Sequence, residues 1–579
     1  MKNRLFVLCT MLCACIATYA VQVWDGTAAP WTKGSGTESN PYLIETPANL
    51  AYLQQILNET ANSATKHFST AHYKQTDDFD MGGKAWNGVG SITAFSGTYD
   101  GNGHSISNAI LVGYLGSKYS GSSYYHNDVS YGIFYFSRNA IFKHTVTSGV
   151  FKRNSTELNS SAVAYLSPLV AHAENCMFVD CQNTAEFSIN VGGDNTNGDD
   201  ANDGRLCVGG MVGYAINSQF INTQNSGNIS CIFGKSCLAG DWCYIGGLVG
   251  NAENSSFDNV CNFGRIYAYG YVGCNQSSRV IFNGGIVGYL KQGTLYHSCN
   301  KGEISSDGKN AARETSNAPR LGGLIGFSVD KVSIERCYNT GDIKISVSKA
   351  YSGDLRMQGY IGGLVGYHND ASLILNACYS KNNITKTTTQ YRTTYMAGLV
   401  GYIGGRDSIF NSYVVPVWDK EVGNVYGTLV ASASTSCGFQ NAHYISTTVA
   451  DQIQGTAQTA EYMKSEAFVN QLNENGAYFR VDTKNENEGF PILGVFSTYQ
   501  LLVKAGEGGT TQGSGNYAEN AQVTISATPS DTYKFIGWSD GSIDNPRTIM
   551  VQSDSTLTAS FRRTHYAIKV SQDCNVTME

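Results

Sequence analysis

The densest set of ion-holding side chains in this chain is "GGDNTNGDDANDG", residues 192 to 204. Asp194, Asp199, Asp200 and Asp203, with Asn195 and Asn197, offer hard oxygens of the kind calcium takes. Their spacing departs from the EF-hand pattern and no glutamate closes the loop. A solvated polar loop is therefore expected, with the four aspartates as weak calcium candidates. Thiol chemistry is the next test. "CIFGKSCLAGDWC" sets Cys231, Cys237 and Cys243 six residues apart, wider than the pairs of a zinc site. Nucleophilic catalysis asks for a cysteine or serine beside an oriented base. His297 lies near Cys299, but no orienting acid follows. Asp77, Asp78, Asp80 and Asp100 fit turn formation and solvation better than a catalytic carboxylate pair. The expectation is a chain without catalytic residues, resident metal or cofactor.

The elements that must position these residues repeat. Glycine-glycine-aliphatic-aliphatic-glycine occurs at Gly209, Gly246, Gly284, Gly322 and Gly362, with "AGLVGY" at Ala397 and a worn copy at Ser167. The starts step by 42, 37, 38, 38, 40 and 35 residues. A period in this range signals a solenoid, propeller or array. Within the copy at Gly284, "GGIVGY" is a short strand and "LKQG" a turn. "TLYHSC" is a second strand, with Leu295 facing inward, "NKG" another turn, and "EIS" a third strand. The runs are too short and too glycine-broken for helices. The predicted fold is all-β: a right-handed parallel β-helix, or β-solenoid, with capping elements and rungs roughly 4.8 Å apart.

Cys261, Cys299, Cys337 and Cys378 follow their phrases by 15, 15, 15 and 16 residues. Stacked rungs would place them in one inward ladder. Packed thiols are expected rather than a disulfide ladder, because free cysteine packs as a small hydrophobe. Gly227, Gly264, Gly302 and Gly341, with Asn382 in the last copy, precede the isoleucine of each turn and are predicted at positive φ. The double glycines suit a tight bend or close approach between rungs. Cys207 with Cys243, or Cys231 with Cys237, are the candidate disulfides, since the first two precede successive phrases.

The "GGLVGY" phrases and their "C-x-N-x-G-x-I" turns resemble the GLUG-motif repeats of large secreted bacterial proteins, over about residues 165 to 415. The resemblance implies a β-solenoid at the cell surface. Residues 21–164 read as an N-terminal cap and first rungs, including a helix with Thr46 as N-cap and Pro47 as its first residue. Residues 416–498 read as a C-terminal cap and linker, with Ser465 starting a short helix. Residues 499–563 alternate apolar and polar positions around Trp538. They resemble the internalin-like bacterial repeat, and 564–579 begins a partial further copy, so a small C-terminal β-rich repeat domain is expected.

Composition bounds the function. Charged residues are 15% and the net charge is −7, with no basic stripe, so nucleic acid is not an expected partner. Residues 1–20 have the charged start, apolar core and small terminal residue of a secretory signal peptide. Cleavage after Ala20 is expected, with a lipid anchor at Cys15 the alternative, and no later run is long enough to be a transmembrane segment. The reading is a secreted or cell-surface protein, non-catalytic, that adheres to an extracellular glycan or protein ligand. A carbohydrate-active β-helix enzyme (lyase or hydrolase) and a structural stalk are the alternatives. Tyr214, Tyr289, Tyr367 and Tyr402 close four phrases and read as core edge. The group from Tyr114 to Tyr135, with Tyr119, Tyr124, Tyr125 and Tyr131, is the ligand-binding candidate.

Overall fold

The computed structural model describes residues 21–59, 66–115, 128–153, 163–191, 205–233, 242–271, 280–311, 319–350, 358–387, 393–418, 424–434, 436–494, 498–518, 521–551, 555–564, 568–570 and 576–578. The rung beginning at Trp242 shows how the repeat folds. Trp242–Gly246 forms one wall, Val249–Asp258 the second, Cys261–Asn262 a short corner strand and Ile266–Tyr271 the last wall. Each pairs in parallel with its counterpart one repeat later. Gly246 lies opposite Gly284, Phe257 opposite Leu295, Asn262 opposite Asn300 and Ile266 opposite Ile304. The fold is a parallel β-solenoid. Strand stacking reaches from Gln22–Val23 to Thr456–Gln458.

Register follows from apolar columns. Phe142, Phe178, Phe220 and Phe257 stack face to face down the interior, with centroids 5.2, 4.8 and 4.9 Å apart. Leu295, Ile334 and Leu375 continue the column. Each ring is sealed from solvent, which contributes about 1.5–3 kcal/mol per side chain. A one-residue slip would turn this whole set outward, so the burial specifies the register.

One corner is built around a buried asparagine ladder. Asn183 donates to Asn225 (2.6 Å), Asn225 to Asn262, Asn262 to Asn300 and Asn300 to Asn339 (2.7 Å each). The same amides donate to the carbonyls of Gly227, Gly264, Gly302 and Gly341. These four glycines, and Asn382, do not have the positive φ expected of them. They are needed for space: a Cβ on Gly302 would lie 2.0 Å from the Gly264 carbonyl oxygen of the neighbouring rung. The left-handed residues sit earlier in the corner. Asn222, Asn259, His297, Arg336 and Ala377 have φ between 48° and 53°.

Helix Pro47–Asn58 starts at Thr46, whose hydroxyl accepts from the Asn49 amide in a capping box, and buries Leu50, Leu53, Ile56 and Leu57 in the solenoid core. At the other end the rungs run past Val415, through Val425–Gly427, Val430–Ala433 and Cys437–Ile445. The expected cap therefore starts too early. Its helix Glu466–Leu472, capped by Ser465, lies on the flank and buries Phe468, Val469 and Leu472 against Tyr379 and Tyr413. Gly494–Glu579 is a separate compact unit. Its strand Thr498–Ala505 pairs with Gly515–Ala518 and Ser555–Arg563, over a core of Leu501, Val503, Ile525 and Trp538.

Candidate functional site

The double-glycine bend makes the opposite kind of corner. A Cβ on Gly246 would lie 1.9 Å from the Val249 carbonyl oxygen, so glycine there lets the chain fold back sharply. Residues seven apart across the bend then meet outside the solenoid core. They form two facing columns. Tyr165, Cys207, Tyr244, Phe282, Arg320, Tyr360 and Tyr395 stand in register on one wall. His172, Tyr214, Asn251, Tyr289, Phe327, Tyr367 and Tyr402 stand in register on the other. Part of this set packs as an apolar cluster of its own, distinct from the core.

The rings pack tightly across and along this corner. Centroids are 5.0 Å apart for Tyr165 and Tyr214, 4.8 Å for Tyr244 and Tyr289, and 5.0 Å for Phe282 and Phe327. Tyr360 stacks on Tyr395 at 5.1 Å and Tyr367 on Tyr402 at 4.2 Å, nearly parallel. Tyr165, Tyr244, Phe282 and Phe327 form the buried floor. Tyr214, Tyr289, Tyr360, Tyr367, Tyr395 and Tyr402 are half-buried and keep an accessible edge. Burial pushes the Tyr289 and Tyr367 phenols up to about 12, so both remain neutral hydrogen-bond donors. The Tyr214 hydroxyl donates to Glu253 at 2.9 Å, and Lys291 lies 3.9 Å from the same carboxylate. Such a surface offers aromatic edges to an apolar partner and hydroxyls for hydrogen bonds at its rim.

Arg320 was not singled out by its sequence, although a signal was present. It fills the position two before the double glycine, where other copies carry Tyr244, Phe282, Tyr360 and Tyr395. Its guanidinium carbon lies 5.1 Å from the Phe282 ring centre, 5.0 Å from Phe327 and 3.9 Å from Tyr367.

The four ladder cysteines occupy two columns, not one. Cys261 and Cys299 lie directly opposite each other with Cα atoms 4.6 Å apart and form a disulfide. That separation is within disulfide range, which corrects, for this pair, the expectation of packed thiols in the ladder. Cys299 pairs across with Tyr338, so Cys337 falls one position inward. The cause is a register shift between Lys291 and Gly293, where the next strand carries one extra residue around Asp330. Cys337 and Cys378 are buried free thiols in the core. Cys207 and Cys243 do not join. Cys207 lies opposite Tyr244 and Leu206 opposite Cys243, so the two sulfurs face opposite sides of the wall. Cys231 is a buried free thiol, and Cys237 lies outside the described residues.

Tyr131 is a correction too. It is fully buried in the solenoid core, with Arg153 over its ring at 5.1 Å, and presents nothing to a ligand. Tyr119, Tyr124, Tyr125 and the calcium candidates Asp194, Asp199, Asp200 and Asp203 lie outside the described residues, as do Cys15 and the rest of residues 1–20, the expected signal peptide. Among the described residues, no group of three or more His, Cys, Asp or Glu side chains is placed to hold a metal ion. Asp78 accepts from the Ser105 amide, and Asp100 from the Asn102 amide and His144. These acids serve turns. Tyr114 and Tyr135, stacked at 5.6 Å, wall an open depression of about 660 Å³ beside helix Pro47–Asn58.

One constellation has the residue types of a hydrolytic triad. Ser328 Oγ lies 2.9 Å from His368 Nδ1, and His368 Nε2 lies 3.5 Å from Asp407 Oδ1. All three are sealed in the solenoid, and the Asp407 oxygens accept from the Leu373 and Gly405 amides. Burial pushes the His368 imidazole down to about 4. With no open side for a substrate, the group is a core polar network.

Residues 499–565 match the family described as the divergent InlB B-repeat domain. A segment of 113 residues is 28% identical to a protein of Evansella cellulosilytica provisionally named a Gly-rich membrane protein, covering 18% of this chain and 12% of that protein's length. A crystal structure from Bacteroides ovatus, provisionally titled an immunoglobulin A1 protease, aligns over 80% of this chain and 95% of its own. Its sequence identity is 14% and its TM-score 0.27, a likeness too slight to bear on function. No helix among the described residues is long and apolar enough to cross a membrane.

Proposed function

We propose that this chain is an exported, non-catalytic binding protein whose β-solenoid holds an extended extracellular ligand, glycan or protein, along the double-glycine corner. The observation that carries this reading is the paired aromatic columns. They repeat rung after rung, lie outside the core and keep half-buried tyrosine edges toward solvent. Rings fixed by backbone register lose little entropy on binding, which favours recognition of a repeating, extended partner. The lattice-like spacing of the rungs sets the spacing of the contacts. The divergent InlB B-repeat unit would add reach or a second contact.

The test is binding of the full chain to a glycan array and to extracellular-matrix proteins, beside a Tyr367→Ala/Tyr402→Ala variant. Saturable binding that falls at least tenfold in the variant supports the reading. Equal binding by the variant, or release of oligosaccharide from the bound glycan, would overturn it.

A further inference from the structure

We propose that the corner takes an acidic polysaccharide, and that Arg320 anchors its carboxylate or sulfate group. This rests on the binding reading above and gives it a ligand class.

Arg320 stands between two ring positions of its column, opposite Phe282 on one side and Tyr360 on the other. Its guanidinium is packed on Phe282, Phe327 and Tyr367. Burial lowers the pKa of this arginine, and the neighbours that act on its charge are phenols: Tyr367, Tyr360, Tyr244 and Tyr402. Among the described residues no carboxylate lies within ion-pair distance of it. On the facing wall, Glu253 is held by Tyr214 and Lys291.

A cation lodged in an aromatic cleft without a counter-ion is an expensive arrangement. Cation–π contacts offset part of the cost, but they use only the faces of the guanidinium. Its in-plane N–H groups form a rigid fork that ring faces cannot satisfy. A planar or branched oxyanion can satisfy it, by parallel charge-assisted hydrogen bonds. In the next two rungs Tyr360 stacks on Tyr395 and Tyr367 on Tyr402, so these uncharged rings present hydroxyl-bearing edges beside Arg320. These edges suit the hydroxyls of sugar units that continue along the rungs beyond one anchored charge. A neutral glycan could offer hydroxyl oxygens to the fork but no counter-charge, and a nucleic acid would need more than one cation along the cleft.

The experiment titrates the full chain with polygalacturonate, heparin and neutral dextran by biolayer interferometry, beside Arg320→Gln and Arg320→Lys. Expected is binding of polygalacturonate or heparin at least tenfold tighter than dextran. Binding of polygalacturonate alone assigns a carboxylate, of heparin alone a sulfate, and of both an oxyanion of either kind. Arg320→Gln should weaken the acidic ligand tenfold or more, and Arg320→Lys by less, because charge survives while the planar fork is lost. Should Arg320→Gln fail to fold, Arg320→Lys and the loss of wild-type affinity with added salt carry the test. Tight dextran binding that Tyr367→Ala/Tyr402→Ala abolishes and Arg320→Gln spares would overturn the anionic assignment and leave the binding reading standing. Binding of no polysaccharide by the wild-type chain would overturn the assignment, and binding of nothing on the array as well would overturn both.

Discussion

Two corners of each rung solve one problem in opposite ways. Both let backbones of adjacent rungs approach more closely than a side chain permits. At the asparagine corner the polar groups turn inward, and each amide bonds the next amide and a glycine carbonyl. At the double-glycine corner the bend expels its side chains, and the two columns meet outside the core. The first corner is closed chemistry: every donor named there has an acceptor of the same chain. The second is open, with half-buried hydroxyls and an arginine lacking a counter-ion among the described residues. Close packing alone therefore does not distinguish the two corners; the direction in which each sends its side chains does.

The sharpest way to break the comparison is to deny the shared close approach. A Cβ on Gly285 would lie 2.1 Å from the Gly323 carbonyl oxygen and 2.4 Å from the Asn300 side chain. Gly285→Val is expected to cost more than about 4 kcal/mol, seen as lost cooperative unfolding or a large fall in Tm. A wild-type melt would show that the bend accepts side chains. Next is Asn300→Leu, which strands an Asn262 N–H and the Gly302 carbonyl and removes one of two donors to the Asn339 oxygen. At about 1–3 kcal/mol for each of the two stranded groups, a loss of about 2–6 kcal/mol is expected. An unchanged denaturation midpoint would show that water or backbone replaces the ladder.

The smallest effect concerns His368, on the wall beside the open corner. Its imidazole is held neutral by burial, with a folded pKa near 4 against an ordinary value of 6.5. Stability is then full above about pH 6.5 and falls as the pH drops toward 4, by about 3 kcal/mol at most. The Asp407 carboxyl, pushed up by burial, opposes part of this. His368→Leu should flatten the acid limb measured by urea unfolding at several pH values. The same slope in both proteins would assign acid sensitivity to His172 and His443, which burial also lowers to about 4.

The repeat period and the inward position of Leu295 were legible because burial acts on every copy alike. The glycines were read through conformation when the constraint was distance, and a neighbouring rung's carbonyl is invisible in one strand's sequence. The cysteines show a different gap. Counted from the double glycine they look equivalent. Counted to the turn residue, Cys261 and Cys299 lie three before Gly264 and Gly302, while Cys337 and Cys378 lie four before Gly341 and Asn382. The corner, not the phrase, fixes the register, so the second count separates the disulfide from the packed thiols. Tyr131 misled because a tyrosine-rich neighbourhood resembles a platform, while strand alternation sends that one ring inward. Arg320 stayed hidden because its significance lies in the rings it replaces.

The extra residue near Asp330 has a consequence for how rungs of unequal length stack. It is absorbed before the next asparagine, since Asn300 and Asn339 remain paired. The wall behaves as an expansion joint: material can be added or removed there while the corners on either side keep their alignment. Repeats of unequal length can therefore accumulate without shearing the stack. A single insertion also swaps which residue faces out at the following corner, and so converts a covalent staple into a packed thiol at no cost to the rungs beyond it.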